Sequence, residues 1–422
     1  MKNVLMATIL FLVWTASAQP YSGGTGTAAD PYQLGTADDL LGLSAASGDW
    51  DKHFVLTADI DLDGQTFLQA PIAPDISVGA GFQGTPFIGM FDGRGHTVFN
   101  LTITASTQDY VGLFGFVGVG GRIKNMGVVN VAIQGRGYVG GLAGKINLGE
   151  LIACHADGSV NGTSSSAGGL VGENYGSTIT FCHAVGPVVG ATGVGGLVGA
   201  NNGRLSACYA DCSVVGTGQY SNAGGLVGYN EGNTTINCFA AGSVIGSIYV
   251  GGLVGTNGAA LIHCYSVGSV GGDVAVAGLL GYNWGPLTAC FWNIQTSGQG
   301  SGIGDGGSSD QVNGLTTAQM RIQATFLDAG WDFTNEALNG ILDPWRMCAD
   351  GVDFPRFNWE TTDGDFACPG GVNAEDLDYH VSWWLMDNCT PANLYCGAAD
   401  MNYSGAVDLA DLSRFAANWM KQ

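Results

Sequence analysis

The sequence predicts a mainly β protein: a right-handed parallel β-helix, or β-solenoid, followed by a small α-helical domain. A short Gly-Leu motif recurs every 26 to 29 residues between positions 112 and 292, which is typical of a repeat architecture. Each repeat also contains short runs that alternate with period 2, as strands do. Residues 361–422 lose the repeat and contain two Asp-containing loops, each followed by an apolar helical pattern.

The composition excludes several classes of protein. Of the 422 residues, 71 are Gly and only 11% are charged, whereas 46% are hydrophobic. Such a chain is neither disordered nor, with 11 Pro and no Gly-X-Y period, collagen-like. The net charge of −22 offers few cations to phosphates, so binding to nucleic acid or to an anionic membrane surface is disfavoured.

Four residue types recur at fixed positions in the repeat. The columns are Leu113, Leu142, Leu170, Leu197, Leu226, Leu253 and Leu279 in the Gly-Leu motif; Cys154, Cys182, Cys208, Cys238, Cys264 and Cys290; Val160, Val188, Val214, Val244 and Val270; and Asn174, Asn201, Asn230, Asn257 and Asn283.

A repeat of this length predicts one coil of a solenoid. Fewer than 30 residues cannot bury an apolar face alone, but stacked coils about 4.8 Å apart can. Helices are disfavoured by the interior Gly residues, and β-propeller blades need roughly 40–50 residues each. The right hand follows the usual hand of parallel crossovers. We expect Cys and Val to point inward, Asn to form a ladder, and Gly to supply positive φ at the corners.

The motif also carries a family resemblance. Gly-Gly-Leu-Val-Gly begins at Gly195, Gly224 and Gly251 and is followed by Asn, which resembles the GLUG motif of bacterial surface and secreted proteins, including adhesin-like ones. The resemblance covers residues 112–292 and implies a repeat architecture, not an activity. Upstream, residues 89–97 and 100–103 resemble the first coils of such proteins, and downstream, residues 290–292 and 314–333 resemble their closing segment. The predicted flanking domains are therefore an N-terminal cap with the first coils, 19–111, and the closing segment that caps the C-terminal end, 293–360.

The first 18 residues have the pattern of an export signal. Lys2 precedes an apolar run from Val4 to Trp14, which is too short to span a bilayer as a helix. Ala16-Ser17-Ala18 fits a cleavage site, so cleavage after Ala18 and a secreted or cell-surface location are expected. The alternative is a buried N-terminal helix. No later segment has the length and apolar character of a membrane span.

Both ends of the solenoid need covering because they expose strand edges. Thr36 and Asp39 form a capping-box pattern before apolar residues, which predicts a helix near the start. Thr316 and Gln319 form another, which predicts a helix in the closing segment, where Trp331 and Phe333 complete the cap.

The second acidic loop, residues 400–411, has the spacing of a twelve-residue calcium loop. Oxygen-bearing side chains occupy positions 1, 3, 5, 9 and 12, Gly405 occupies position 6, and position 7 offers a carbonyl. The predicted Ca²⁺ ligands are Asp400, Asn402, Ser404, Ala406, Asp408 and Asp411.

A related loop lies 35 residues earlier, but it lacks two ligands. Ala367 and Pro369 replace oxygen donors at positions 3 and 5, so we expect weak binding or an acidic turn that binds nothing. Its remaining candidate ligands are Asp365, Gly371, Asn373 and Asp376.

The paired loops resemble a type I dockerin domain over residues 361–422. This resemblance implies Ca²⁺ as cofactor and a cohesin-like protein as partner. A glycan or a cell-envelope component remains an alternative partner.

The cysteines and histidines permit more than one interpretation. A buried ladder of free thiols is favoured for the six column Cys, because side chains in stacked coils run parallel. Cys348, Cys368, Cys389 and Cys396 allow three pairings, of which Cys389–Cys396 closes a short loop. His155, His183 and His263 neighbour column Cys, but alternation sends adjacent residues to opposite faces. Solvent-facing His is therefore preferred over a Cys/His metal site.

The predicted function is a non-catalytic secreted repeat protein that serves for surface display, adhesion or extracellular scaffolding and has a calcium-dependent docking tail. The alternative is a polysaccharide-acting β-helix enzyme, a lyase or a glycosidase. That alternative needs clustered carboxylates, whereas adjacent coils rarely pair the few acidic residues of the repeats.

Overall fold

The computed structural model describes residues 21–77, 79–307, 312–334, 339, 344–360, 372, 374–390, 393, 396, 399–401 and 404–419. The predicted export signal and its cleavage site lie outside these residues, as do Asp365, Gly371, Asn373 and Asn402. None of the helices in the described part of the chain is long and apolar enough to cross a membrane.

A β-solenoid forms the body of the molecule. Its strands pair in parallel, coil on coil, in one 31-stranded sheet. The strands are Tyr32–Leu34, His53–Leu56, Ile60–Asp61, Thr66–Phe67, Met90–Asp92, Thr97–Phe99, Thr102–Val111, Phe114–Val117, Arg122–Lys124, Gly127–Gly140, Ala143–Asn147, Glu150–Ile152, His155–Gly168, Val171–Thr180, His183–Gly195, Val198–Gly216, Ala223–Gly224, Val227–Asn230, Thr234–Ala240, Val244–Ile245, Ile248–Gly251, Val254–Asn257, Ala260–Ile262, Tyr265–Ser266, Val270–Gly271, Val274–Ala277, Leu280–Asn283, Leu287–Thr288, Cys290–Asn293, Ile303–Gly306 and Val312–Leu315.

The predicted columns stack in register. Val188 pairs with Val160 on one side and with Val214 on the other, and Val214 pairs in turn with Val244. The Val, Leu and Cys columns are buried in one continuous core. The mainly β solenoid is therefore confirmed, whereas its right hand stays a prediction.

The Cys column is a ladder of buried free thiols, as predicted. All six column Cys are free and buried, and so is Cys212. The Cys212 thiol lies in the same core and donates a hydrogen bond to the Gly196 carbonyl at 3.3 Å.

The Gly residues of the motif serve close packing rather than corners, whereas the predicted positive φ is found at other Gly residues of the solenoid, such as Gly158 and Gly186. A Cβ on Gly195 would lie 2.0 Å from the Val198 carbonyl oxygen, and one on Gly196 would lie 2.0 Å from the Gly225 carbonyl oxygen. The corner before each column Cys instead has positive φ at a non-Gly residue, namely Ala153, Phe181, Ala207, Asn237, His263 and Ala289.

The Asn column forms a buried ladder of side-chain amides. The Asn201 amide donates to the Asn230 carbonyl oxygen at 2.7 Å, and Asn230 donates in the same way to Asn257 at 2.8 Å. Asn174 and Asn283 extend the ladder at either end. Ile146 occupies the Asn position in the preceding coil and pairs with Asn174. The ladder therefore begins at Asn174, the first residue of the predicted Asn column.

The N-terminal helix Ala37–Ala45 confirms the predicted capping box. The Thr36 hydroxyl accepts from the Asp39 amide at 3.2 Å, and the Asp39 carboxylate accepts from the Thr36 amide at 3.0 Å. Leu40 and Leu43 are buried against the first coils. A 3₁₀ turn, Ser47–Asp49, follows.

The closing segment differs from the single helix predicted there. The bonds between Thr316 and Gln319 form, but the chain makes a 3₁₀ turn, Gln319–Arg321, and a short helix, Gln323–Leu327. Ile322 separates them because its backbone is extended, with φ −107° and ψ 114°. The other described elements near this end are the helix Ile294–Ser297, the antiparallel strands Trp345–Arg346 and Arg356–Phe357, and the 3₁₀ turn Asn358–Glu360.

The tail contains the helices Ala374–Ser382 and Leu409–Trp419. Its segment 385–389 runs beside the second acidic loop: the Val407 amide donates to the Met386 carbonyl at 2.9 Å, and the Cys389 amide donates to the Gly405 carbonyl at 2.9 Å. A disulfide joins Cys389 to Cys396, and Cys348 is also disulfide-bonded.

The adjacent residues Val244 and Ile245 provide a matched test of the inward column. The Val244 side chain is fully buried and that of Ile245 is 57% exposed. Val244→Asp should lower the free energy of unfolding by several kcal/mol, since it buries an unpaired charge, whereas Ile245→Asp should change it by less than about 0.5 kcal/mol. Urea denaturation followed by far-UV circular dichroism measures both. Equal effects would contradict the assigned faces, and a mainly helical spectrum of the wild type would contradict the fold.

Candidate functional site

A stack of rings follows one edge of the solenoid. The residue after each column Cys points out of the core, and in successive coils these residues are His155, His183, Tyr209, Phe239, Tyr265 and Phe291. From His155 to Tyr265, neighbouring ring centroids lie 4.8 to 5.0 Å apart with planes within 9° of parallel. The spacing is that of the coils, so register alone brings the rings face to face. We call these six residues the ring ladder.

The closing segment covers the ring ladder. Trp359 lies 5.9 Å from the His183 ring and 5.8 Å from that of Tyr209, and Trp345 packs on Phe239 in the same way. The prediction that the histidines face solvent was therefore wrong. They do point away from the core, but Trp331, Trp345 and Trp359 pack against that face, and His263 lies against Trp331.

A cleft of about 340 Å³ opens where the ring ladder ends. The next coil offers Gly127 opposite His155, so the stack has no further ring. A Cβ on Gly127 would lie 2.3 Å from the His155 Nε2 atom, so a side chain there would require the His155 ring to move. The lining residues come from the coils, the closing segment and the tail: Gly95, Asn125, Met126, Gly127, Ala153, Cys154, His155, Phe181, His183, Tyr209, Trp359, Glu360, Met401 and Arg414.

Burial shifts the pKa values of two His side chains and of one Glu side chain that line the cleft. It lowers the pKa of His155, and it lowers the pKa of His183 to about 3, with a smaller contribution from His155. Both imidazoles are therefore neutral at pH 7. Burial raises the pKa of Glu360 to about 7 against the opposing charge of Arg356, whose guanidinium nitrogen lies 3.4 Å from the carboxylate.

Several polar groups of the cleft have no hydrogen-bond partner within the described part of the chain. The Trp359 indole N–H is buried and unpaired. None of the hydrogen bonds between described residues involves the imidazole of His155 or His183. Unpaired donors and acceptors in an open cleft favour binding of a polar ligand.

The cleft does not have the paired carboxylates of a glycosidase within the described residues. Glu360 is the one carboxylate among the residues that line it, whereas a glycosidase needs two, about 5–10 Å apart. Among the described residues there is also no group of three or more His, Cys, Asp or Glu side chains that could hold a metal ion.

The described part of the second acidic loop is arranged around Asp400. One carboxylate oxygen of Asp400 accepts from the Ser404 amide at 2.9 Å, and the other accepts from the Gly405 amide at 2.8 Å. Gly405 has φ +100°, the sharp turn for which Gly was expected at position 6. The Asp411 carboxylate accepts from the Asp408 amide at 2.9 Å, at the start of the helix Leu409–Trp419. The Ala406 carbonyl accepts from the Ser404 hydroxyl at 3.1 Å.

Asp400 and Asp411 are both fully buried. Burial raises the pKa of Asp400 to about 6, and the nearby Asp411 charge raises it further, against the two amide hydrogen bonds. Asp376, from the first loop, is also fully buried. None of these Asp side chains belongs to a group of three or more potential metal ligands among the described residues, so the calcium site stays a prediction.

Arg414, Trp359 and Glu360 were missed by sequence reasoning. Arg414 donates to the Met401 carbonyl at 2.6 Å and to the Arg94 carbonyl at 2.8 Å, so it connects the tail to the early coils. Nothing in the local pattern around these residues indicates contacts with positions more than a hundred residues away.

The comparisons with known proteins agree with the fold. Residues 219–245 match the profile of the family described as the GLUG motif. Halomucin of Haloquadratum walsbyi is 34% identical over 166 residues, which are 37% of this chain and 2% of Halomucin. A protein of Evansella cellulosilytica, described as a candidate Gly-rich membrane protein, is 30% identical over 135 residues, which are 31% of this chain and 15% of that protein. The chain thus spans only a small part of these relatives.

Among solved structures, a candidate immunoglobulin A1 protease from Bacteroides ovatus superposes with a TM-score of 0.53 at 21% identity. The match covers 81% of this chain and 96% of that one. At this identity the likeness shows a shared fold and nothing further. The protein is therefore a β-solenoid that carries the GLUG motif.

Glu360 makes the stability of the closing segment depend on pH. Its pKa in the folded protein, about 7, lies above the ordinary value of 4.5, so its contribution is fully present below pH 4.5 and is lost as the pH rises through 7. Glu360→Gln should therefore gain stability relative to the wild type from pH 4.5 to 8, by up to roughly 3 kcal/mol. The buried histidines are common to both proteins and cancel in this difference.

Urea unfolding followed by tryptophan fluorescence reports on this segment, because Trp331, Trp345 and Trp359 lie in it. Glu231→Gln, at an exposed glutamate, is the control and should show no such trend. A difference between Glu360→Gln and wild type that stays constant across this pH range would contradict the assignment.

Proposed function

We infer that this protein is a secreted or cell-surface scaffold without catalytic activity, in which the β-solenoid is a stiff display element and the tail is a docking module ordered by Ca²⁺. The observation that carries this inference is the arrangement of the second loop around Asp400. Two buried carboxylates, a turn at Gly405 and a carbonyl at Ala406 are the parts of a calcium loop. In the absence of a cation the buried carboxylates repel each other.

A docking role for the tail is supported by its apolar surface. Its exposed hydrophobic side chains are Val381, Leu385, Met386, Leu409 and Trp419. Two of them, Leu385 and Met386, belong to the segment that runs beside the calcium loop. An apolar surface attached to an ion-ordered loop suits a protein partner, such as a cohesin-like domain, better than a glycan.

The non-catalytic assignment is supported by the scarcity of acids at the cleft, since Glu360 has no second carboxylate beside it among the described lining residues. The alternative is a polysaccharide lyase or glycosidase. It would be supported if the protein cleaved a polysaccharide and if substitution of one acidic residue abolished that cleavage.

The calcium prediction is tested with the full chain. Wild-type protein should release or absorb heat on titration with CaCl₂, and chelation should lower the protection of the tail amides against hydrogen exchange while leaving the solenoid unchanged. Asp400→Ala should weaken binding at least tenfold, because it removes the first ligand of the complete loop.

Asp365→Ala in the incomplete loop should have a much smaller effect, and Asp211→Ala, at an exposed position of the solenoid, is the control. No heat in the wild type would exclude the calcium site, and equal losses from Asp400→Ala and Asp365→Ala would show that the loops are ranked wrongly.

A further inference from the structure

We propose that the cleft at the end of the ring ladder binds a neutral sugar ring. This goes beyond the docking role of the tail, and it concerns a different surface: the contacts that carry it come from His155, His183 and Tyr209 of the solenoid and from Trp359 of the closing segment.

The size and walls of the cleft suit a small cyclic ligand. Its volume of about 340 Å³ lies at the lower end of the usual range for small-molecule sites, roughly 300–1,000 Å³. Phe181, Tyr209 and Trp359 contribute aromatic walls, and Phe181 stands nearly perpendicular to Trp359 at 6.0 Å. Aromatic walls offer contact to the C–H faces of a sugar.

The polar groups of the cleft call for a ligand that donates and accepts hydrogen bonds. The buried Trp359 indole N–H needs an acceptor. A neutral imidazole has one donor and one acceptor nitrogen, and neither His155 nor His183 uses them within the described structure. Hydroxyl groups satisfy both kinds of partner, whereas an apolar ligand would leave these groups unpaired at a cost.

The charges around the cleft disfavour charged ligands. An anion would approach a protein of net charge −22 and would meet Glu360, while the histidines are neutral and Arg414 already donates to two carbonyl oxygens. A cation would meet Arg414 in the cleft and Arg356 beside Glu360. A neutral hydroxylated ring avoids both conflicts.

Two substitutions remove polar groups of the cleft while keeping an aromatic ring at each position. Trp359→Phe loses the indole N–H but keeps a ring against Phe357, with which Trp359 stacks at 5.4 Å. His183→Phe loses the imidazole nitrogens at a position where the neighbouring coils accept Tyr209 and Phe239. The matched control is His263→Phe, because His263 lies outside the cleft and the equivalent corner position before Cys182 already holds Phe181.

The experiment is a saturation-transfer difference NMR titration of the full chain with the methyl β-glycosides of glucose, galactose and N-acetylglucosamine. Glucuronic acid and glucosamine are the charged comparators. At least one neutral glycoside should bind, with a dissociation constant on the order of 1 mM. Trp359→Phe and His183→Phe should each weaken that binding at least tenfold, and His263→Phe should leave it within twofold.

Three results would overturn the proposal. The first is no binding of any neutral glycoside, and the second is tighter binding of either charged sugar. The third is neutral binding that Trp359→Phe and His183→Phe leave unchanged, which would place the sugar elsewhere on the protein.

Discussion

The parallel register of the coils is the constraint on which the rest of the structure depends. Because each coil lies directly on the next, every position of the repeat meets its own counterpart about 4.8 Å away. The Val column then forms one core, and the Gly residues of the motif allow backbones to approach to distances that a Cβ would prevent. The Asn ladder makes this register costly to change, since a shifted coil would bury an unpaired amide.

The same register acts on the outside of the solenoid. Outward residues also stack, so the positions after the column Cys become a continuous ladder of rings. A ladder of that kind is an apolar surface that needs covering, and the closing segment covers it with Trp331, Trp345, Phe357 and Trp359. The cleft arises where the ladder stops at Gly127, and its polar groups are those that the closing segment leaves without partners.

The sequence predicted most of the repeated positions and the local capping box at Thr36, and it missed the contacts between residues that are far apart in the chain. Columns such as Val244 and Asn230 were placed correctly because their partners recur at a fixed spacing. The helix after Thr316 was predicted as one element because a capping box specifies where a helix starts but not that Ile322 interrupts it. The return of Trp359 to His183 joins residues 176 positions apart, and no periodicity marks such a contact. The alternation along the strand predicts only that His155 and His183 point away from the core, and it does not predict that Trp359 covers that face.

The central claim is that a buried side-chain ladder holds the coils in register, and Asn230 tests it most directly. The Asn230 side chain accepts from Asn201 and donates to Asn257, so Asn230→Ala leaves one buried N–H of Asn201 and the buried side-chain carbonyl of Asn257 without these partners. Asn202→Ala is the control, because it changes an exposed neighbour of Asn201 in the preceding coil. Urea denaturation should show that Asn230→Ala lowers the free energy of unfolding by about 2–5 kcal/mol and that Asn202→Ala changes it by less than about 0.5 kcal/mol. Equal, small effects of the two substitutions would contradict the account.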